Sequence, residues 1–324
     1  MQTLKSDPSV KKLLRIQRNT DQHWVGDGFP VRTLFSYSAL GPMISPFLLF
    51  DYAGPMEFSP TEQRHGVGEH PHRGFETVTI VYSGEVEHRD SSGGGGRIGP
   101  GDVQWMTAAS GLVHEEFHGR DFARHGGVLE MVQLWVNLPA KDKMSPPHYQ
   151  SILDNQIPAV NLPEDQGRVR VIAGEFAGTT GPAHTFTPIN VWDLRLTSDQ
   201  SINLAVPDGY NTLLAVLKGS ICIDDSEILA TAEVGLFDRA GDHICISSKP
   251  DTIALLLSGE PIEEPSIPAS FRVLVKELQS LGLAVEAINE NGDVVRFGKD
   301  EEKTHPPKHD TGLLSLGEGQ VKKK

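Results

Sequence analysis

Between residues 30 and 136 the chain alternates short apolar runs with Gly, Pro, Asp and Ser, as in PFLLFDYAGP, FETVTIVYSG, GDVQWMTAASG and LEMVQLWVNLP. Runs of about 4–8 residues closed by turn formers predict strands of a sandwich or barrel. The rhythm breaks over 138–165, which is rich in Pro, Lys, Asp and Asn and reads as an interdomain linker. It resumes in RVRVIAG, INVWDLRLT, NTLLAVLKGSICID, VGLFDRAGDHICISS and TIALLLSG. TVTIVYSGEVEH in the first half matches LLAVLKGSICID in the second, each a strand, a turn glycine and a strand. GPGDVQWMTAASGLVHEE likewise matches VGLFDRAGDHICISS, so two copies of one β-barrel unit are expected. Beyond 262 the pattern changes. Phe271, Val273, Leu274, Val275, Leu278 and Leu281 keep helical spacing from an N-cap at Ser270 to a stop at Gly282, and Asn291-Gly292 predicts a hairpin. The polar stretch from Lys299 onward predicts disorder.

The expected fold class is therefore all-β, two tandem barrels with a short α/β tail. Residues 1–137 form the first domain, 138–165 the linker, 166–262 the second domain, and 263–324 an atypical, partly disordered tail.

The candidate chemistry lies in EHPHRGFETVTIVYSGEVEH, which starts at Glu69. Side chains two apart on a strand share a face. His70 and His72 therefore point together, and Glu76, Val78 and Ile80 continue that face, with Thr77 and Thr79 on the other. GLVHEEF offers a second pair by the same rule, His114 and Glu116. Two adjacent strands with these four groups at one level can enclose one ion. Three imidazoles and a carboxylate, with no thiol, suit Fe, Mn, Co, Ni, Cu or Zn. Glu76 is a candidate further ligand, a carboxylate orienting an imidazole, or a general base. His88 and His118 read as surface groups or as neighbours of the ligands rather than ligands. Aligning Gly219 with Gly84 sets Ala205, Pro207 and Asn211 where His70, His72 and Glu76 stand. Aligning Gly241 with Gly111 sets Ile244 at His114, so the second barrel is expected to carry no metal.

Composition narrows the partners. The 324 residues carry 43 acidic against 29 basic side chains, a net charge of −14, which disfavours direct contact with nucleic acid or anionic membranes. No apolar run is long enough to span a bilayer, and the N-terminal stretch lacks the apolar core of a signal peptide. The two cysteines, Cys222 and Cys245, sit in strand-like runs and read as reduced, buried thiols of a cytoplasmic protein. The run SSGGGG at 91–96 reads as a flexible loop tip, since no Lys-Ser/Thr comes after it to make a phosphate cradle.

Three blocks together, HPHRGFETVTIVYSGEVEHRDSSG, GPGDVQWMTAASGLVHEE and VQLWVNLPAKDKMSPPHYQ, resemble the pirins, bicupins of the cupin superfamily, over about residues 10–262. The resemblance implies one metal, Fe(II), in the N-terminal cupin barrel at His70, His72, His114 and Glu116, and leaves Glu76 outside that set. It implies either a quercetin 2,3-dioxygenase acting on a flavonol-type small aromatic substrate with O2, or a metal-dependent redox sensor and transcriptional co-regulator with a protein partner. In the first case Glu116 is the catalytic base. A monomer is expected. Residues 263–297 depart from the pirin pattern, and FRVLVKELQSLGL resembles the C-terminus of the bacterial RNA polymerase β subunit.

Overall fold

The structure, a computed structural model, describes residues 9–197, 199–224, 226–262, 269–282, 286–288 and 294–296. It divides into two compact units, Met1–Glu264 and Pro265–Lys324.

The first unit is built from two copies of one two-sheet design. In the first copy a seven-stranded antiparallel sheet runs in spatial order β12 (His148–Ile152), β9 (Val103–Thr107), β6 (Phe75–Ser83), β11 (Gly127–Asn137), β4 (Phe47–Phe58), β3 (Phe29–Ser36) and β2 (Gln22–Val25). Facing it is a four-stranded sheet, β5 (Gly66–His72), β10 (Leu112–His118), β7 (Val86–Asp90) and β8 (Gly95–Ile98). In the second copy the large sheet is β1 (Leu13–Arg18), β22 (Glu233–Phe237), β19 (Asn211–Lys218), β24 (Thr252–Gly259), β17 (Ile189–Leu196), β14 (Gly167–Ala173) and β13 (Ala159–Asn161). Its small sheet is β18 (Ser201–Ala205), β23 (His243–Ser248), β20 (Ser220–Ile223) and β21 (Glu227–Ala230). A two-residue ladder, β15 (Glu175–Phe176) with β16 (Thr179–Thr180), lies between β14 and β17 in sequence.

The strand orders correspond one to one. The two turn glycines that tie the copies together, Gly84 and Gly219, have φ of +83° and +82°, a conformation costly for any side chain. The expected all-β pair of barrels is what the chain forms. Its edges are exchanged, however: β1 from the N-terminus completes the second copy's sheet, and β12, within the stretch read as a linker, completes the first.

The largest apolar core lies between the two large sheets. Phe50, Val78, Ile80, Trp105 and Leu134 from the first meet Leu213, Ala215, Leu236 and Leu257 from the second. Alternation then sends the other face of each large sheet toward its own small sheet. In the second copy that interior is filled by Trp192, Leu204, Leu214, Ile244, Ile246 and Leu256.

In the second unit the helix spans Ala269–Ser280, so Ser270 lies inside its first turn rather than capping it. Gly282, at φ +79°, stands just beyond its end. β25 (Glu286–Ile288) pairs antiparallel with β26 (Val294–Arg296), and the Asn291-Gly292 turn itself lies outside the described residues, as does the stretch from Lys299. Among the described residues no helix is long and apolar enough to cross a membrane. Cys222 and Cys245 are both free thiols and only partly buried.

Candidate metal centre

β5 and β10 are neighbours, and their register sets His70 directly opposite His114. One nitrogen from each of His70, His72 and His114 falls within a sphere where all lie within 4.8 Å of one another. The pairing slips by one residue between His114 and Glu116, because β5 carries an extra residue after Val67. Such a bulge flips the parity of the residues beyond it and re-aims their side chains. Here it lets Val67 and the two histidines of β5 face the same interior. The Gly68 carbonyl at the bulge accepts from His70 Nδ1 at 2.8 Å, which leaves His70 Nε2 free to bind. In the second copy β18 has no such extra residue, and Leu204 pairs with Ile244. The counterpart of His70 is therefore Leu204, one position away from the Ala205 that uninterrupted alignment gives.

Glu116 stands apart from the three-imidazole group and clusters instead with His114 and His88. Its Oε1 accepts from Gln104 Nε2 at 3.0 Å and, more distantly, from Thr79 Oγ1 at 3.4 Å. Its Oε2 accepts from Gln133 Nε2 at 3.1 Å. His88 is buried, 5% exposed, and not a surface group. Its Nδ1 lies 3.2 Å from His114 Nδ1 and 3.2 Å from Gln104 Nε2, and its Nε2 lies 3.2 Å from Asp90 Oδ2. The ring stacks on Tyr149, centroids 5.0 Å apart and planes at 14°. Asp90 Oδ1 takes Ser92 N, Ser92 Oγ and Gly94 N, so the serine–glycine loop is tied to the same carboxylate. His118 is buried elsewhere: its Nε2 donates to Gly28 O at 2.8 Å, among the rings of Phe29, Phe58 and Phe122.

Glu76 departs from its expected place. Arg73 and Gly74, the latter at φ +82°, break the strand after His72, and the chain crosses from the small sheet to the large one. On β6 it is the odd positions, Thr77 and Thr79, that face the histidines, as the contact from Thr79 to Glu116 requires. Glu76, Val78 and Ile80 face the other way, opposite Thr107, Trp105 and Val103, into the core between the large sheets. Glu76 Oε1 accepts from Thr107 Oγ1 at 2.7 Å. It is neither a ligand in this geometry nor in contact with one.

The electrostatics favour neutral imidazoles. Burial, together with the neighbouring rings, lowers His72 to about 4 and His114 to about 3. Protons therefore do not compete for these two lone pairs near neutral pH. His114 Nε2 is buried without any hydrogen-bond partner, a costly state for a polar atom unless something else binds it. With His70 Nδ1 already committed to Gly68, the donor set fits a borderline divalent ion. Beside the cluster, Phe75 and Trp135 form an aromatic wall: His72 meets them edge-on at 5.1 and 5.3 Å, and their own centroids are 4.7 Å apart.

His88, Asp90, Gln104 and Gln133 escape a reading by motif because they come from strand segments that meet only across the sheets. A trace does exist for Gln104 and Gln133, polar residues on alternate positions of the apolar runs VQWMT and LEMVQLWVN.

Comparison with known proteins points the same way. The Pirin family model matches residues 28–136, and the model for the pirin C-terminal cupin domain matches 191–269. A Pseudomonas aeruginosa protein named "Putative quercetin 2,3-dioxygenase" is 54% identical over 287 residues, 89% of this chain and 99% of that one. Pirin-like protein 2 of Arabidopsis thaliana is 35% identical over 272 residues, covering 81% of this chain and 78% of the relative. The crystal structure of a quercetin 2,3-dioxygenase from Acinetobacter baumannii superposes with a TM-score of 0.78 at 49% identity, over 84% of this chain and 98% of that one. With both domains matched and such relatives spanning most of its length, the chain belongs to the pirin family.

Proposed function

We propose that the protein is a metal-dependent dioxygenase that opens a flavonol-type ring with O2, and that His70, His72, His114 and Glu116 hold one Fe(II). The buried, unpartnered Nε2 of His114, on a ring that brings a nitrogen within 4.8 Å of one from each of His70 and His72, carries this reading. The names of the bacterial relatives supply the substrate class. The ion contributes Lewis acidity toward a substrate hydroxyl and the redox chemistry needed for reaction with O2.

The chain contributes the rest. Glu116 is the acceptor for the hydroxyl proton, and taking it requires the carboxylate to release one of the donors Gln104, Gln133 or Thr79. Phe75 and Trp135 supply a flat apolar surface for a planar substrate beside His72. The Trp135 indole N–H, buried and unpaired, is a donor available to a substrate oxygen. In the second copy Leu204, Ile244 and Ile246 stand at the positions of His70, His114 and Glu116, which makes that barrel a structural half without a metal. A cytoplasmic location fits the two free thiols. The helix and hairpin of the tail, with their likeness to the RNA polymerase β subunit, are read as an appendage to this chemistry rather than a part of it.

The test is O2 uptake by the anaerobically Fe(II)-loaded protein on adding quercetin. Consumption of O2 in step with loss of flavonol absorbance is expected. A loaded protein that consumes none with any flavonol, yet binds a protein partner differently as Fe(II) and Fe(III), would replace the enzyme with the sensor.

A further inference from the structure

The hydrogen positions in the network behind His114 are set by its acceptors. Glu116 only accepts, so the Gln104 atom 3.0 Å from it is the amide nitrogen, and Gln104 Oε1 faces Tyr149 OH at 3.3 Å. That nitrogen also lies 3.2 Å from His88 Nδ1, where it can only donate, so His88 Nδ1 is bare. His88 then carries its proton on Nε2, which points at Asp90 Oδ2. Asp90 is ionised at neutral pH: burial opposes this, but hydrogen bonds from Ser92, His88 and Gly94 outweigh it. Two bare nitrogens 3.2 Å apart would repel, so His114 Nδ1 bears the hydrogen and shares the His88 lone pair with Gln104. His114 is left with its bare nitrogen, Nε2, on the side of His70 and His72.

We propose that Asp90 and His88 are positioning residues for the metal: they lock His114 as the Nδ1–H tautomer, direct its Nε2 to the ion, and make it the electron-rich ligand of the set. The device rests on His114 being a ligand, as proposed above. A carboxylate behind an imidazole raises its basicity and fixes its orientation; here a second imidazole extends the chain by one step.

The second copy shows that the fold does not demand the imidazoles and amides of this network. Register sets Ile223 where His88 stands, Gly235 at Gln104, Ile244 at His114, Ile246 at Glu116 and Leu256 at Gln133. At these positions the same sheets close over aliphatic side chains when the ligands are absent. His88, Gln104 and Gln133 accompany the ligands, not the architecture.

The test uses the full chain and two variants. In Asp90→Asn the three loop donors keep the amide oxygen, so the NH2 faces His88 and the tautomers reverse down the chain. His88→Ile installs the residue of the twin sheet and leaves His114 Nδ1–H without an acceptor. Zn(II) and Fe(II) affinities are measured by chelator competition, and the Fe(III)/Fe(II) potential by redox titration. Nitrogen-15 NMR of the Zn(II) form reads which His114 nitrogen is bound. Expected are affinities about 10–100-fold weaker in both variants, Nε2 coordination in the parent, and Fe(III) binding weakened about tenfold more than Fe(II), a rise of about 59 mV. Thermal stability of metal-free Asp90→Asn, which keeps its hydrogen bonds, should match the parent's, which separates positioning from support of the fold. His88→Ile leaves buried polar groups unpaired and is read by affinity and coordination alone. Parent-like affinity and potential in Asp90→Asn, or coordination through Nδ1, would overturn the assignment. If His114→Ala also loads like the parent, the metal site itself is wrong; if it does not, only the role of Asp90 and His88 falls.

Discussion

Glu76 is 1% exposed and lies in the core between the two large sheets, where the Thr107 hydroxyl donates to it at 2.7 Å. Burial raises its pKa from 4.5 to about 7, against the opposing pull of Thr107 and Trp105 toward the carboxylate. Because the folded value is the higher one, the folded state holds the proton more tightly than the unfolded chain does. The associated stability is complete below pH 4.5, declines as pH rises, and is gone above pH 7. The rise from 4.5 to about 7 corresponds to about 3 kcal/mol, lost at about 1.4 kcal/mol per pH unit across that range. Glu76→Gln removes the titration, and its amide oxygen can still accept from Thr107.

The variant should therefore gain on the parent by about 3 kcal/mol between pH 4.5 and pH 8. With about 2.1 cal/mol/K of unfolding entropy per residue, that corresponds to roughly 4–6 °C in melting temperature for a protein of this size. Urea unfolding of both proteins at pH 5, 6, 7 and 8, with chelator present, isolates the effect because other titrating groups cancel in the difference. A difference that stays flat across this range would show that Glu76 ionises normally and that its burial has been misread.

His72→Ala and His114→Ala should each lose more metal affinity than the 10–100-fold typical of a residue behind a ligand, read as metal per chain after dialysis; undiminished metal in the double variant would remove both from the site. Glu116→Gln should depress flavonol turnover even where some metal remains, since the amide cannot accept the hydroxyl proton; unchanged turnover would assign the base elsewhere. Truncation after Pro265 should leave metal content and the melting curve unchanged, because a lone helix and a two-stranded hairpin are marginal on their own; loss of folding would make the tail part of the core.

Local rules in the sequence reach the strands, the repeat and the two histidine-bearing pairs, because alternation and turn glycines act within a few residues. They fail where a decision is made across strands. The extra residue after Val67 is visible only when β5 is laid against β10, and it shifts the twin of His70 from Ala205 to Leu204. Parity carried through Gly74 misplaces the face of Glu76, because the chain changes sheets there. His88, hidden among ordinary polar residues, owes its role to Asp90, Gln104 and His114, which converge on it from β7, β9 and β10.

The linker boundary also takes on a physical meaning. We propose that 1–137 cannot fold alone, although it contains every candidate ligand. A cut there removes β12 from the edge of β9 and bares the face carrying Phe50, Val78, Trp105 and Leu134. It strands β1, whose partner is β22, and Lys11, whose ammonium is held by the carbonyls of Tyr210, Asp238 and Arg239. Contacts from Tyr52 OH to Leu217 O at 2.9 Å and from Asn211 Nδ2 to Ser45 O at 2.6 Å also cross the cut. An exposed apolar sheet face with an open strand edge is an aggregation site. The fragment should therefore be insoluble or associate, and the intact chain should unfold in one transition reported equally by tryptophan fluorescence and far-UV circular dichroism. A soluble, monomeric 1–137 with a native-like β spectrum, or two separable melting transitions, would show that each half is self-sufficient and that the shared core only joins them.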